Sequence, residues 1–239
     1  MAEERKTIYL CLAHMSEEGI EQKYVKEAFD TNWVVPMGPN VNAFEQDLSD
    51  FANTNSDGSK LNHKVVCLSA GTAAVHLALI ACDVKQGDEV CVQSFTFCAS
   101  SHPITYLGAK PVFIDSERET WNMDPELLEK AIIDRKEKSG QYPKAIIPVA
   151  LYGMPYDCEK IMAIANKYDI PVIEDAAEGM GSRFNGQVLG TFGRFGVLSF
   201  NGNKMIVMLN SNDMPDDVKS NAGQFIKEHV DLNKCKIAY

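Results

Sequence analysis

Short apolar segments alternate with amphipathic segments along most of this chain, and this alternation limits the folds open to it. Between residues 64 and 204 the apolar segments are KVVCLSAG, DEVCV, KAIIPVALYG, PVIED and FGVLSF, each of strand length. Intervening segments such as TAAVHLALIACDV and EKIMAIANKYD have helical periodicity. Because parallel strands need a crossover, usually a helix, this order predicts an α/β fold with a predominantly parallel sheet flanked by helices. A hairpin-like stretch around Gly186 permits one antiparallel strand.

Two helices are predicted before this alternation begins. Residues 16–30 open with Ser16 as a candidate cap and place apolar side chains at helical spacing. A rigid loop from Pro36 to Pro39 separates this first helix from a second helix that begins near Val41. The sequence shows no internal repeat, low-complexity segment or clear interdomain linker.

The composition argues against several classes of function. A net charge of -10 in 239 residues opposes electrostatic binding to nucleic acid or to an anionic membrane surface. No stretch approaches the roughly 18 apolar residues of a membrane span, and the first apolar run is too short for a signal peptide, so the expected location is cytoplasmic. Seven cysteines, mostly in apolar runs, form no CxxC pair, which predicts reduced, buried thiols and no metal site.

An acidic and a basic residue follow the ends of two predicted strands. Asp175 closes PVIED, and Lys204 follows FGVLSF after a short polar turn. Open parallel sheets bind ligands at the carboxyl ends of their strands, so both side chains are candidates for one site. Pyridoxal 5'-phosphate requires a carboxylate beside its pyridinium nitrogen and an amine that forms a Schiff base. The alternatives are a helix cap for Asp175 and a solvated loop position for Lys204.

A candidate phosphate site lies where the first predicted strand leads into a helix at Gly71 and Thr72. Free N–H groups and the positive end of the helix dipole point at one spot there, although the two residues could serve only as a turn and cap. Phe97 follows another strand end, where its ring would either stack on a flat heterocycle or pack into the protein. His76 lies among apolar residues of the helix and is interpreted as a packing residue.

With these residues in this order, the chain closely resembles the DegT/DnrJ/EryC1/StrS family of pyridoxal-phosphate-dependent sugar aminotransferases. The similarity extends from about Thr7 to Ile206 and rests on separated blocks that agree in order and spacing, including SAGTAAVHLAL, SFTFCAS, PVIEDAAEGMGS and SFNGNKMI. These blocks look most like the branch that aminates UDP-linked 4-keto sugars. The resemblance implies an aspartate-aminotransferase-like large domain, known as fold type I.

The resemblance also implies a role for each candidate residue. Lys204 would hold the cofactor as a Schiff base and shuttle the proton, while Asp175 would pair with the pyridinium nitrogen. Phe97 would stack on the ring, and Glu178 would lie near the ring hydroxyl. Four residues would hold the phosphate: Gly71, Thr72, Ala73 and Ser199. The resemblance names no residue that contacts the substrate.

The implied reaction transfers an amino group from glutamate to a nucleotide-linked keto sugar, for surface polysaccharide or glycan biosynthesis. The family site is shared between two subunits, so the expected assembly is a homodimer. One branch of the family carries His in place of the lysine and dehydrates sugars instead. Lys204 argues against that branch.

The sequence departs from the family after Lys204. Family members continue into a small C-terminal domain, whereas the residues here read as a turn and one amphipathic helix. The expected division is a cofactor-binding large domain, residues 1–206, and an atypical tail, residues 207–239. We expect cofactor binding with weak or no transamination by the chain alone. The alternatives are a catalytically impaired homologue that binds cofactor or a full-length partner, and a generic nucleotide-binding protein, which the lack of a GxGxxG motif opposes.

Overall fold

The computed structural model of this chain describes residues 16–201. Its helices are α1 (Ile20–Asp30), α2 (Pro39–Ala52), α3 (Gly71–Ala81), α4 (His102–Tyr106), α5 (Pro125–Ser139) and α6 (Cys158–Tyr168). Its strands are β1 (Glu89–Gln93), β2 (Lys110–Ile114), β3 (Ala145–Ile147), β4 (Ile173–Asp175), β5 (Arg183–Phe184), β6 (Gln187–Val188) and β7 (Phe195–Val197). Short 3-10 turns follow β1 at Cys98–Ser100 and β3 at Leu151–Gly153.

The centre of the molecule is a parallel sheet. Strand β1 pairs in parallel with β2 and β3, and β4 pairs in parallel with β7. Isolated parallel bridges, Ile146 with Val172 and Val149 with Asp175, connect the two groups of strands. The resulting order across the sheet is β2-β1-β3-β4-β7. The predicted α/β fold with a predominantly parallel sheet is confirmed.

Both faces of this sheet are covered by helices. Cys91 and Ile146 are partners on neighbouring strands and pack into a core formed with α5 and α6. The next pair along, Val92 and Ile147, points to the opposite face and packs with α3 and α4. All four side chains are fully buried. The continuous apolar character of the predicted strands follows from this two-sided burial.

The antiparallel pairing permitted around Gly186 is present as a short hairpin. Strands β5 and β6 pair through Arg183 with Val188 and Phe184 with Gln187. The two turn residues, Asn185 and Gly186, have φ values of 48° and 84°. Positive φ at both central positions is the requirement of the tight turns that suit hairpins, and Asn-Gly meets it at low cost.

Both predicted N-terminal helices are present, although they bury different amounts of surface. Helix α2 packs Leu48 and Phe51 against Val188 of β6. Helix α1 buries Tyr24 but leaves the Phe29 side chain 69% exposed. The apolar face expected for α1 is therefore largely open in the described structure.

The prediction that KVVCLSAG forms a strand is wrong, because residues 64–70 are not part of any strand. Side chains of α2 and of Asn53, the residue that follows it, bind the backbone within and just before this segment. Glu45 Oε1 accepts from the Cys67 N–H at 2.7 Å, and Asn53 Nδ2 donates to the His63 carbonyl at 2.8 Å. Val66 remains 69% exposed. The segment leads into α3 without sheet pairing in the described part of the chain.

The expectation of buried, reduced thiols holds for three of the five described cysteines, whereas Cys67 is only partly buried and Cys98 is exposed. Cys82, Cys91 and Cys158 are buried and free, and burial raises the pKa of Cys91 and of Cys158 to about 12. Cys98 is exposed because it lies in the loop after β1 rather than in a strand. Cys11 and Cys235 lie outside the described residues.

Two further sequence predictions concern membrane spans and metal sites. Within residues 16–201, no helix is both long enough and apolar enough to cross a bilayer. Over the same range, no group of three or more His, Cys, Asp or Glu side chains is arranged to hold a metal ion.

Candidate functional site

The parallel sheet brings four of the predicted site residues, Gly71, Phe97, Asp175 and Ser199, to one edge. Asp175 ends β4 and lies in register with Val197, which ends β7. Phe97 lies in the loop after β1, and Ser199 follows β7 by two residues. Helix α3 begins at Gly71 beside the end of β7. Residues that are far apart in sequence therefore meet where parallel sheets bind their ligands.

The Asp175 carboxylate is buried and held in place. Asp175 is 6% exposed, and its Oδ2 accepts a hydrogen bond of 2.5 Å from Ser100 Oγ. Its Oδ1 accepts from the Ala177 N–H at 3.2 Å. Turns rather than a helix follow Asp175, so the alternative of a helix cap is wrong. What the structure shows is a fixed carboxylate at the end of a central strand.

Gly71 and Ser199 face each other across a narrow gap. A Cβ atom placed on Gly71 would lie 3.6 Å from Val197 Cγ1 and 3.8 Å from Ser199 Oγ. The absence of a side chain at Gly71 therefore leaves backbone open beside the Ser199 hydroxyl. A helix N-terminus and a hydroxyl group therefore lie side by side at this edge of the sheet.

The N-terminus of α3 has the properties of an anion site. Its first three residues are Gly71, Thr72 and Ala73, and no side chain caps it. The first backbone bond of the helix runs from the Ala74 N–H to the Ala70 carbonyl at 3.1 Å. The N–H groups that precede this bond have no partner within a helix, and the helix dipole makes this end positive.

Phe97 is on the surface of the site. Its side chain is 71% exposed, which disagrees with the alternative of packing into the core. The loop that carries it is tied to β4, because Ser100 donates to Asp175 and its own N–H donates to the Phe97 carbonyl at 3.1 Å. An exposed ring is thus held on a loop whose position is fixed relative to Asp175.

Glu178 lies on the turn after β4 and contacts the turn after β3. Its Oε2 accepts a hydrogen bond of 2.8 Å from the Tyr152 N–H. Tyr152 has a φ of 51° and a ψ of 28°, a left-handed conformation that is uncommon for a residue with a large side chain. The carboxylate of Glu178 therefore supports a strained backbone at the edge of the site.

Glu174 was not identified from the sequence, and it is the most buried carboxylate beside the site. It is fully buried and accepts hydrogen bonds from the N–H groups of Gly190 at 3.0 Å, Phe192 at 2.5 Å and Gly193 at 2.6 Å. Burial raises the pKa of Glu174 above its ordinary value, although these N–H groups act in the opposite direction. The contacts hold the turn that leads into β7.

A buried amide pair was also missed. Gln93 Oε1 accepts from the Met123 N–H at 2.8 Å, and its Nε2 donates to the Phe95 carbonyl at 2.9 Å. Asn122 Oδ1 accepts from the Leu151 N–H at 3.1 Å. These amides satisfy backbone groups in three loops at the carboxyl edge of the sheet. They hold the loops around the site in a fixed relation.

The predicted lysine lies outside the described residues. Lys204 lies beyond Asn201, the last described residue, as does the whole of the predicted tail, residues 207–239. Near the end of the described chain, the ring of Phe200 packs edge-on against Phe44 with centroids 4.9 Å apart. His76 makes a similar contact with Tyr106 at 5.6 Å, in agreement with its interpretation as a packing residue.

Comparison with known sequences places these features in a family. The profile of the DegT/DnrJ/EryC1/StrS aminotransferase family matches residues 15–211. EpsN of Bacillus subtilis (strain 168), classed as a pyridoxal phosphate-dependent aminotransferase, is 48% identical over 213 residues, which are 87% of this chain and 52% of EpsN. GDP-perosamine synthase of Caulobacter vibrioides is 36% identical over 222 residues, covering 91% of this chain and 55% of the synthase.

Comparison with solved structures gives the same result. The pyridoxal phosphate form of Spr1654 from Streptococcus pneumoniae, classed as a sugar aminotransferase, matches with a TM-score of 0.71 and 28% identity. The match covers 94% of this chain and 58% of Spr1654. The chain thus spans about half the length of the relatives it matches. Its fold is that of the fold type I sugar aminotransferases, and the chain belongs to the DegT/DnrJ/EryC1/StrS aminotransferase family.

Proposed function

We propose that this chain binds pyridoxal 5'-phosphate at the carboxyl edge of its sheet and takes part in the amination of a nucleotide-linked keto sugar, with glutamate as the donor. The observation that carries the proposal is the meeting of a buried Asp175 carboxylate with the Gly71 and Ser199 surface at one edge. Membership of the family and the similarity to a pyridoxal phosphate form of Spr1654 support this cofactor. When bound, the cofactor supplies an electron sink for the carbon that exchanges the amino group.

The residues present fit the two ends of this cofactor. The phosphate would lie at the N-terminus of α3, where Gly71, Thr72 and Ala73 offer N–H groups and the Ser199 hydroxyl faces them. The pyridine nitrogen would lie at the Asp175 carboxylate, which is buried where an ionic hydrogen bond is strongest.

Two further side chains would orient the ring. Phe97 presents an exposed ring on a loop fixed to Asp175, which suits stacking on a flat heterocycle. Glu178 would lie near the ring hydroxyl, at the turn that it shares with Tyr152. Because these loops are fixed by buried hydrogen bonds, the site is largely organised before any ligand binds.

Lys204 would supply the amine that attaches the cofactor covalently and carries the proton at Nζ. Lys204 lies outside the described residues, and its role is proposed from the family resemblance and from its place in the sequence, five positions after Ser199. A lysine amine is suited to both tasks.

The substrate class is a nucleotide-linked keto sugar. The sequence blocks look most like the branch that acts on UDP-linked 4-keto sugars, whereas one relative is a GDP-perosamine synthase. We therefore propose amination of a 4-keto sugar and keep both UDP and GDP as carriers for the test. The biosynthetic context proposed is surface polysaccharide or another glycan.

We also propose that the chain assembles as a homodimer, which is the assembly that the family resemblance implies. An exposed apolar surface offers a place for a second subunit, and its members between residues 29 and 37 are Phe29, Trp33, Val34, Val35 and Met37. Sedimentation equilibrium should therefore show a dimer, and a monomer at all concentrations would contradict this part.

The activity is tested by half-reactions with the purified chain. The chain loaded with pyridoxal 5'-phosphate is mixed with glutamate, and 2-oxoglutarate is measured; UDP- and GDP-linked 4-keto sugars are then added, and amino sugar is measured. Each step is run with and without a full-length relative. Asp175→Asn should abolish both steps, while Asp169→Asn, an exposed change at the end of α6, should not. Failure of every combination would contradict the proposed function.

A further inference from the structure

We propose that Thr96 and Ser100 form a hydroxyl relay that fixes the Asp175 carboxylate relative to the Phe97 loop, which makes Ser100 a positioning residue for the ring end of the site. The inference rests on the proposed function, since the ring is that of the proposed cofactor. Neither Thr96 nor Ser100 has a part in the chemistry described above.

The relay is visible as two short contacts. Ser100 Oγ lies 2.5 Å from Asp175 Oδ2, and Thr96 Oγ1 lies 2.9 Å from Ser100 Oγ. Ser100 is 1% exposed, so water does not compete for its hydroxyl. The contact joins the loop after β1 to the end of β4, across 75 positions of the chain.

The chemistry of the groups sets the direction of the hydrogen bonds. An ionised carboxylate only accepts, so Ser100 donates its single hydroxyl proton to Asp175. That proton is then not free for the Phe97 carbonyl, which lies farther away at 3.3 Å and receives the Ser100 N–H instead. The other hydroxyl proton of the relay is that of Thr96, which donates to Ser100 Oγ. The relay therefore runs from Thr96 through Ser100 to Asp175.

The hydrogen bond from Ser100 to Asp175 therefore orients the Asp175 carboxylate and also anchors the loop that carries Phe97. Hydrogen bonds to charged groups are shorter and stronger than those between neutral groups. Ser100 holds Oδ2 while the Ala177 N–H holds Oδ1, which restricts rotation of the carboxylate. Phe97 lies three residues before Ser100. The Asp175 carboxylate, proposed for the ring nitrogen of the cofactor, and the Phe97 side chain, proposed to stack on that ring, therefore keep a fixed position relative to each other.

The test separates a role at the ring nitrogen from a general effect on the fold. Affinity is measured for pyridoxal 5'-phosphate and for its 1-deaza analogue, in which a C–H group replaces the ring nitrogen. Ser100→Ala should lose about tenfold in affinity for the natural cofactor and much less for the analogue. Ser100→Thr, which keeps a hydroxyl, should restore most of the difference. Equal losses for both ligands would overturn the inference.

Two other variants complete the design. Ser101→Ala removes the neighbouring hydroxyl, which bonds to the Cys98 carbonyl at 3.2 Å, and it should leave both affinities unchanged. Thr96→Val keeps the size of the side chain and removes the first donor of the relay, so it should give about a threefold loss for the natural cofactor alone. If Ser100→Ala does not fold, Thr96→Val still decides the question.

A measurement without cofactor distinguishes failure of this inference from failure of the proposed function. Hydrogen exchange of residues 95–101 in the free chain should be faster in Ser100→Ala than in the wild type or in Ser101→Ala. Unchanged exchange would overturn the relay whether or not the cofactor binds. If exchange is faster but the wild type binds neither ligand, the anchoring of the loop is supported and the proposed cofactor site is contradicted.

Discussion

The carboxylate of Glu174 accepts a hydrogen bond of 2.6 Å from the backbone N–H of Gly193, across the turn that leads into β7. Two more N–H groups of the same turn, those of Gly190 and Phe192, bind the same carboxylate. Strand β7 leads to Ser199, so this buried carboxylate helps to position the part of the proposed site that Ser199 forms.

Replacing Glu174 with Gln should destabilise the protein. The amide has one acceptor oxygen, and its NH2 group would face N–H donors in a place without water. We expect a loss of about 2–4 kcal/mol in the free energy of unfolding, measured by urea denaturation. Glu159→Gln on the exposed side of α6 is the matched control and should change stability by less than about 0.5 kcal/mol. Equal effects of the two changes would contradict this role for Glu174.

The same carboxylate should give stability a distinct pH dependence. Burial raises the pKa of Glu174 above its ordinary value of 4.5, so the native state binds this proton more tightly than the unfolded state. Its contribution is then fully present below pH 4.5 and is lost as the pH rises through the native pKa. The stability difference between wild type and Glu174→Gln should fall as pH rises, and a difference that grows with pH would contradict the shift.

Gly71→Ala should damage the phosphate site without damaging the fold. The new methyl group would be 3.6–3.8 Å from Val197 and Ser199, which is ordinary contact, so stability should change by no more than about 1 kcal/mol. The methyl would nevertheless occupy the surface where the phosphate is proposed to bind. Affinity for pyridoxal 5'-phosphate should therefore fall, whereas affinity for pyridoxal, which lacks the phosphate, should not. A parallel fall for both ligands would place the phosphate elsewhere.

The cysteines should differ sharply in reactivity. Cys98 is exposed in the loop beside Phe97 and should react readily with iodoacetamide. Cys91 and Cys158 are buried, with pKa values raised to about 12, and should react only after unfolding. Bound cofactor beside Phe97 should slow the labelling of Cys98, as peptide mass spectrometry would show. Labelling of Cys98 at the same rate with and without cofactor would argue against stacking at Phe97.

Local sequence patterns were enough for the architecture and for the order of the candidate residues. Apolar runs such as DEVCV and PVIED are buried on both faces, so their position in a parallel sheet is evident from composition alone. KVVCLSAG also contains an apolar run but is not a strand here, because strand formation depends on a neighbour that a single segment cannot reveal. Glu45 of α2 and Asn53, the residue after α2, bind the backbone near this segment instead.

The supporting residues of the site were harder to predict. The bond from Ser100 to Asp175 joins two loops that only the folded sheet brings together, and a serine in a loop carries no such signal. Glu174 did carry one, since adjacent strand residues point to opposite faces and one carboxylate of the Glu-Asp pair had to enter the core. A charge in that position requires several donors, which the turn before β7 provides.

The central claim is that this chain binds pyridoxal 5'-phosphate with Lys204 as the attached amine. The most direct test is the visible absorption of the purified chain with added cofactor, followed by borohydride reduction and peptide mapping. We expect a band at about 420 nm, which reduction removes, and a reduced adduct on Lys204. A chain that shows no band, or whose adducts are confined to other lysines, would contradict the claim.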